Sequence, residues 1–373
     1  MRGPFPTGAG APRRAHRAHR APRAERGLAI LTAMLVIALG SITMVAIVSS
    51  QRFALEREKN EGAIALARDL AVSGERFAAA LLYRDRQTGD RENSDSLDDD
   101  WAQPIPPIPI DDLAVIQGCI VDMQGRFNLN NLVDAEGAPS GPHVDQLVRL
   151  FQRLGIGVEK VQAVIDWVDA DVNATVPDGA EDDFYTGLDP AYRAANAPFA
   201  AVSELKLVRG FWPSVDEERE DYELLLPHVA ALPARPDGQP TPVNVNTATP
   251  EVLASLGDEV APLAADLSRW DTLAYEDYPE CEDVFDLESE GPATLGGDER
   301  DTTPYESRLQ FDTEADSTGE GVEISAVGYD VRSDYFQVRI DIVAENARLT
   351  QYTLFERDGE GRSRVRYRSR RTP

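Results

Sequence analysis

The chain has 373 residues, too many for one small module and enough for two packed domains with appendages. Hydrophobic residues make up 42% of it, which argues for a folded body, and the formal net charge is −28. A body this acidic repels phosphate backbones and excludes nucleic acid as a partner; divalent cations, a basic protein surface or plain solvation suit it instead.

The N-terminus has the opposite charge. Residues 2–26 carry seven arginines against one acid, Glu25, which leaves 30 basic and 64 acidic residues in the rest, a net of −34. Leu28 to Val48 is then an uncharged, mostly apolar run of 21 residues, long enough to cross a bilayer core of about 30 Å. The arginines before it predict a cytoplasmic N-terminus and a body across the membrane, which in a Gram-negative cell is the inner membrane with the body in the periplasm. Three readings fit this segment. A plain signal anchor needs only charge and apolarity. A secretory signal needs a shorter apolar stretch and a small-residue ending, and neither is present. The third reading uses Arg26-Gly27 directly before the apolar run, which resembles the site where prepilin peptidase cuts type IV pilins and pseudopilins on the cytoplasmic side.

Beyond Val48 the apolar residues Phe53, Ile64, Ala67, Leu70, Ala71 and Phe77 recur at helical spacing between charged positions. One helix is predicted from Leu28 to about Leu82, roughly 80 Å long. Counting Leu28 as the first mature residue, the fifth is Thr32, where most pilins carry a glutamate that meets the amine of a neighbouring subunit. Residues 84–112 are polar, acidic and then proline-rich, and predict an exposed connection. Leu113–Asp122 predicts a strand. From His143 to about Trp270 the patterns are helical, with Thr249-Pro250-Glu251 a helix start. An acidic stretch near 276–316 predicts a long loop, and the alternating segments GVEISAVGYDV, DYFQVRIDIVAE, ARLTQYTLFER and SRVRYRSRR predict antiparallel strands.

Asp166, Asp169, Asp171, Asn173, Asp178, Glu181, Asp182 and Asp183 crowd one short segment. Carboxylate, amide and carbonyl oxygens on a flexible turn suit Ca²⁺; a solvated acidic loop is the alternative. The spacing is not that of an EF-hand, because the sixth and twelfth positions from Asp169 are Ala174 and Ala180. The two cysteines, Cys119 and Cys281, form no C-x-x-C motif; in an exported protein they are candidates for one disulfide. LGIGVEKVQAVIDWV and VNVNTATPEVLASLGDEV look like helix-hairpin-helix modules, but the second hairpin, Leu256-Gly257-Asp258-Glu259, is acidic where DNA would touch. His143 and His228 have no nucleophile motif beside them, and no G-x-S-x-G, Walker A or H-E-x-x-H occurs, so no enzyme is expected.

The blocks GRFNLNNL, VIDWVDAD, GAEDDFY, ELKLVRGF and VNVNTATPEVL, in that order, resemble the K-type minor pseudopilin of type II secretion. The resemblance covers nearly all of the chain from Arg26 on, and Thr32 in place of glutamate suits that family. It implies an α+β fold: a pilin-like long N-terminal helix packed on a small antiparallel sheet, with a large inserted all-α domain. The expected parts are a cleaved leader over 1–27, the spine helix over 28–86, a connection and first strand over 87–130, the inserted domain over 131–275, an acidic loop over 276–320 and C-terminal strands over 321–373. It further implies cleavage after Gly27, methylation at Leu28, and calcium held in the inserted domain among Asp166, Asp169, Asp171, Asp178, Glu181, Asp182 and Asp183. The implied partners are the I- and J-type minor pseudopilins, prepilin peptidase, the inner-membrane secretion platform, and the secretin or cargo. Such a subunit sits at the pseudopilus tip, starts assembly and caps it. The alternative is a signal-anchored periplasmic protein, calcium-binding or of helix-hairpin-helix type, outside any filament.

Overall fold

The computed structural model describes residues 23–88, 93–103, 105–211, 216–235, 237–269, 303–316, 327–345 and 347–370. The chain divides into two units, Met1–Glu61 and Gly62–Pro373. The leader expected over 1–27 lies outside the described residues as far as residue 22. Helix α1 spans Arg23–Thr88, starting a turn earlier than expected, so the Gly27–Leu28 junction falls inside a helix.

In the first unit, α1 is charged over residues 52–61 but apolar and exposed over residues 28–48: Leu28, Leu31, Leu35 and Val45 all face outward, and the helix is long and apolar enough to cross a membrane. Its few polar side chains bond to the helix itself. Thr32 Oγ1 donates to Ala29 O at 3.0 Å, Ser41 Oγ to Ile37 O at 2.8 Å and Ser50 Oγ to Ile47 O at 3.0 Å. Hydroxyls satisfied in this way are tolerated in hydrocarbon.

In the second unit, the part of α1 from Gly62 onward buries Ala63, Ala67, Ala71, Ala78 and Leu82, one small-residue face that lets helix and sheet approach closely. The sheet begins with β1 (Ile105–Ile110) and β2 (Ala114–Asp122). An insertion follows: β3 (Phe127–Asn128), α2 (Gly141–Leu154), α3 (Lys160–Val168), α4 (Asp182–Tyr185), α5 (Asp216–Leu225), β4 (Val229–Ala230), β5 (Val243–Asn244), α6 (Pro250–Ser255), α7 (Ala264–Leu267), α8 (Arg308–Ala315) and β6 (Tyr329–Asp330). The chain then returns to the sheet with β7 (Tyr335–Ala344), β8 (Ala347–Arg357) and β9 (Ser363–Ser369). Strand order is β1-β2-β7-β8-β9, antiparallel throughout. Ile340, Ile342, Phe336 and Phe355 close the core against α1. Glu75 lies in that interface: its Oε1 accepts from Gln351, Thr353 and Arg368, and Oε2 from Arg368 at 2.8 Å. Burial opposes its charge, but Arg368, Thr353 and Gln351 outweigh it and hold the carboxyl below its ordinary pKa.

Several expectations change. The connection over 84–112 contains a strand, β1, whose sequence IPPIPI hides it; prolines are tolerated there because an edge strand leaves N–H groups unused. The same connection buries Asp95, which accepts from Arg357 Nη2 at 2.5 Å and from the Ser333 backbone at 2.8 Å. The loop over 276–320 contains α8, whose Phe311 and Ala315 join Tyr305 in the core of the insertion; residues 276–302 and 317–320 lie outside the described residues. Of GVEISAVGYDV, only Tyr329–Asp330 is a described strand, and it pairs in parallel with β5 rather than joining the head sheet. The insertion itself is mainly helical but not purely so, since β3–β4 and β5–β6 form short parallel pairs. FAAVSELKLVRGF makes only a 3-10 segment, Val202–Leu207, with Gly210 at φ 90° just beyond.

Insertion and sheet meet at a buried hub. Asp122, the last residue of β2, accepts from Asn244 Nδ2 at 2.9 Å, Ser333 Oγ at 2.6 Å and Thr247 Oγ1 at 2.5 Å. Burial pushes its pKa up to about 6 despite those donors. Gly125 is part of this contact: a Cβ there would run into the backbone carbonyl of Thr247.

Candidate metal centre

Helix α3 carries an apolar face into the insertion core through Val161, Val164, Ile165 and Val168, and so fixes where its C-terminal end lies. The helix stops at Asp169, whose N–H still bonds Ile165 O at 2.9 Å while its own backbone turns extended. The chain then loops back to Glu181, just ahead of α4. Asp166, fully buried, shapes that loop by accepting from Thr175 N–H at 3.0 and 3.2 Å. Gly179 packs so close to Asp166 and Thr175 that a side chain there would collide with both.

The loop brings carboxylate oxygens of Asp169, Asp171 and Glu181 within 4.8 Å of one another. Asp169 and Glu181 are buried and Asp171 is exposed. Among the described residues, Asp169 Oδ1, both Glu181 oxygens and the buried Oδ1 of Asn196 meet no donor at ordinary hydrogen-bond distance and angle, although the Asn196 side chain is close enough to Glu181 to favour its charge. Asn196 stands beside Glu181, and its Nδ2 donates to the Asp171 carbonyl at 2.6 Å. Burial, then the charges of Asp171 and Asp166, raise the Asp169 pKa to about 6. Burial, then Asp166 and Asp169, raise Glu181 to about 7. Buried polar atoms are normally hydrogen-bonded, and three carboxylates brought within 4.8 Å of one another, two of them with unsatisfied oxygens, fit an all-oxygen cation site.

The other predicted ligands have different roles. Asp182 pairs with Arg193 Nη1 at 2.9 Å and accepts from Ala194 N–H at 3.1 Å. Asp178 donates its N–H to Gln162 at 2.8 Å, and its carboxylate is not in the cluster; Asp183 is exposed and is not in it either. Asn173 bonds Asp171 Oδ1 through N–H and Nδ2 at 2.7 and 3.0 Å. A second acidic group, Asp85, Asp95 and Asp99, already has a cation among it, since Arg357 reaches Asp95 at 2.5 Å and Asp85 at 3.4 Å. Cys119, buried on β2, is disulfide-bonded; Cys281, the other candidate for one disulfide, lies outside the described residues.

The family model for type II secretion system (T2SS) protein K matches residues 125–234, which include the whole candidate centre. The type II secretion system protein K of Pseudomonas aeruginosa is 33% identical over 346 residues, covering 91% of each chain. The protein of the same name from Klebsiella pneumoniae is 33% identical over 243 residues, 62% of this chain and 69% of that one. Among solved structures, the GspK-GspI-GspJ complex from enterotoxigenic Escherichia coli matches with a TM-score of 0.58 at 22% identity, covering 85% of this chain and 100% of its own; at that identity the likeness speaks for the fold. Matched at 33% identity over 91% of its length by one member, and by the family model over residues 125–234, the chain belongs to the protein K family of type II secretion systems.

Proposed function

We propose that this family member is the minor pseudopilin at the tip of the pseudopilus, a structural subunit whose work is assembly rather than catalysis. The observation that carries the reading is the match to a protein K over 91% of both chains. The chain is made with its arginine-rich leader in the cytoplasm, cut after Gly27 by prepilin peptidase, and methylated on the new amine of Leu28. Its head and insertion lie in the periplasm, where I- and J-type minor pseudopilins join it; the solved relative is a complex of this kind. The inner-membrane platform draws the group outward, and the insertion, above the head, hinders stacking of further subunits and faces the secretin or cargo. Thr32 supports the tip position, because it offers no carboxylate to a subunit above.

The cation belongs to the same proposal. Asp169, Asp171 and Glu181, with the amide oxygen of Asn196, hold Ca²⁺, and Asp166 shapes the loop that presents them. When bound, the ion supplies positive charge that fixes the loop between α3 and α4; it takes part in no reaction.

Mass spectrometry of the mature N-terminus tests the reading. The expected species begins with N-methyl-Leu28. An intact leader would overturn it in favour of a signal-anchored periplasmic protein outside any filament.

A further inference from the structure

The head sheet has two edges, β1 and β9, and they are not equivalent. An edge strand carries backbone N–H and C=O groups for which its own sheet has no partner. In β1, Pro106, Pro107 and Pro109 remove the N–H from three of six residues, so that side is closed to another strand. Strand β9, SRVRYRS, contains no proline and, among the described residues, is paired on one side only, with β8. The sheet can therefore be extended on one side.

That side has a distinctive charge. Arg362, Arg364, Arg366, Arg368 and Arg370 occupy alternate positions, and no acidic residue follows Glu360 in a chain whose net charge is −28. Arg362 pairs with Glu360, Arg366 with Glu356 and Arg368 with Glu75. Arg364 and Arg370 are exposed, and no carboxylate among the described residues pairs with either. Arginines on an edge commonly keep strands apart. Here the exclusion is selective, because a second copy of this strand would set like charges opposite one another, whereas an acidic strand would meet opposite charges across the ladder.

We infer that β9 is a docking edge for an extended acidic segment of another protein chain, added to the head as a sixth strand. The backbone ladder supplies the affinity, and Arg364 and Arg370 select the sign of the partner's charge. An anionic lipid surface shares the charge but cannot use the row of N–H groups.

The test titrates the full chain in detergent micelles with synthetic peptides of alternating Glu and Val, the same peptide with Lys for Glu, and the Glu peptide N-methylated at alternate residues. The Glu peptide is expected to bind, the other two not, and the affinity to fall with salt. Arg364→Glu with Arg370→Glu should weaken binding by about tenfold while the melting temperature stays unchanged; if that pair lowers it, Arg364→Gln with Arg370→Gln serves the same comparison. Equal binding of the Lys peptide or of the N-methylated peptide, full affinity in the arginine variants, or binding to phosphatidylglycerol vesicles but to no peptide would each overturn the proposal.

Discussion

Among the described residues, Glu181 has two buried oxygens with no donor at ordinary hydrogen-bond geometry, beside an equally unsatisfied Asp169 oxygen. Such a group is costly while empty and favourable once a cation enters, so ligand and stability are linked. Saturating Ca²⁺ should raise the melting temperature of the full chain by several degrees, since a ligand at a hundred times its Kd adds about 3 kcal/mol. Glu181→Gln should abolish most of that shift. Identical melting in Ca²⁺ and in chelator would remove the site from the proposal. The sequence pointed to this acidic segment, because Asp and Glu are the chemical signal of a cation site. It could not separate ligands from neighbours: Asp182 faces Arg193 and Asp166 faces the Thr175 backbone, and only the folded loop decides that. Asn196 was missed altogether. Its one cue is conformational, an asparagine held at φ 42° in the left-handed region that this residue type tolerates.

His228 gives a second prediction at this scale. It is buried, with Nδ1 2.9 Å from Thr249 Oγ1, and burial together with Arg126 lowers its pKa to about 4. In the unfolded chain it titrates near about 6.5. Between those values the unfolded state binds a proton that the folded state refuses, so its contribution is complete above the higher pKa and is lost as pH falls toward the lower one. The loss reaches about 3 kcal/mol. His228→Gln should flatten that acid limb relative to the parent in denaturant titrations from pH 7 to 4. Parallel curves for the two proteins would show that His228 is not the group responsible.

At the level of elements, the strongest sequence signals were long and periodic: α1, β7 and β8 stand where periodicity put them. Strand β1 was hidden because three prolines mimic a linker, and its edge position, which makes them harmless, is a property of the sheet rather than of the segment. Helix α8 was hidden by its acidic surroundings, although Phe311 anchors it in the core. The motif glycine in GRFNLNNL shows how elements distant in sequence depend on each other. Gly125→Ala pushes a methyl group into the Thr247 carbonyl, where the backbone has no room, and should cost about 2–3 kcal/mol in equilibrium unfolding. A cost below about 0.5 kcal/mol would mean the two loops separate easily.

For the whole molecule, the sequence showed that a sheet is interrupted by a helical insertion, but not where the insertion ends. Its core extends to Phe127 on one side and to Val331 on the other, so the chain returns to the head later than composition suggests. Pairing of Cys119 with Cys281 would close a loop of roughly 160 residues, for which chain entropy predicts up to about 5 kcal/mol. Reductant, or Cys119→Ser, should therefore lower the melting temperature of the full chain markedly. Unchanged melting would show that the crosslink adds no stability.

Thr32 has a consequence for the order of events. Its hydroxyl is already bonded to Ala29 O, one turn back in its own helix. A glutamate there would bring a charge into the apolar run, a cost that persists until it finds a cationic neighbour. The threonine helix can rest alone in the bilayer at no such cost, with no pressure to pair. A subunit that can wait unaccompanied is suited to be present first, and later arrivals that carry the acid would gather around it.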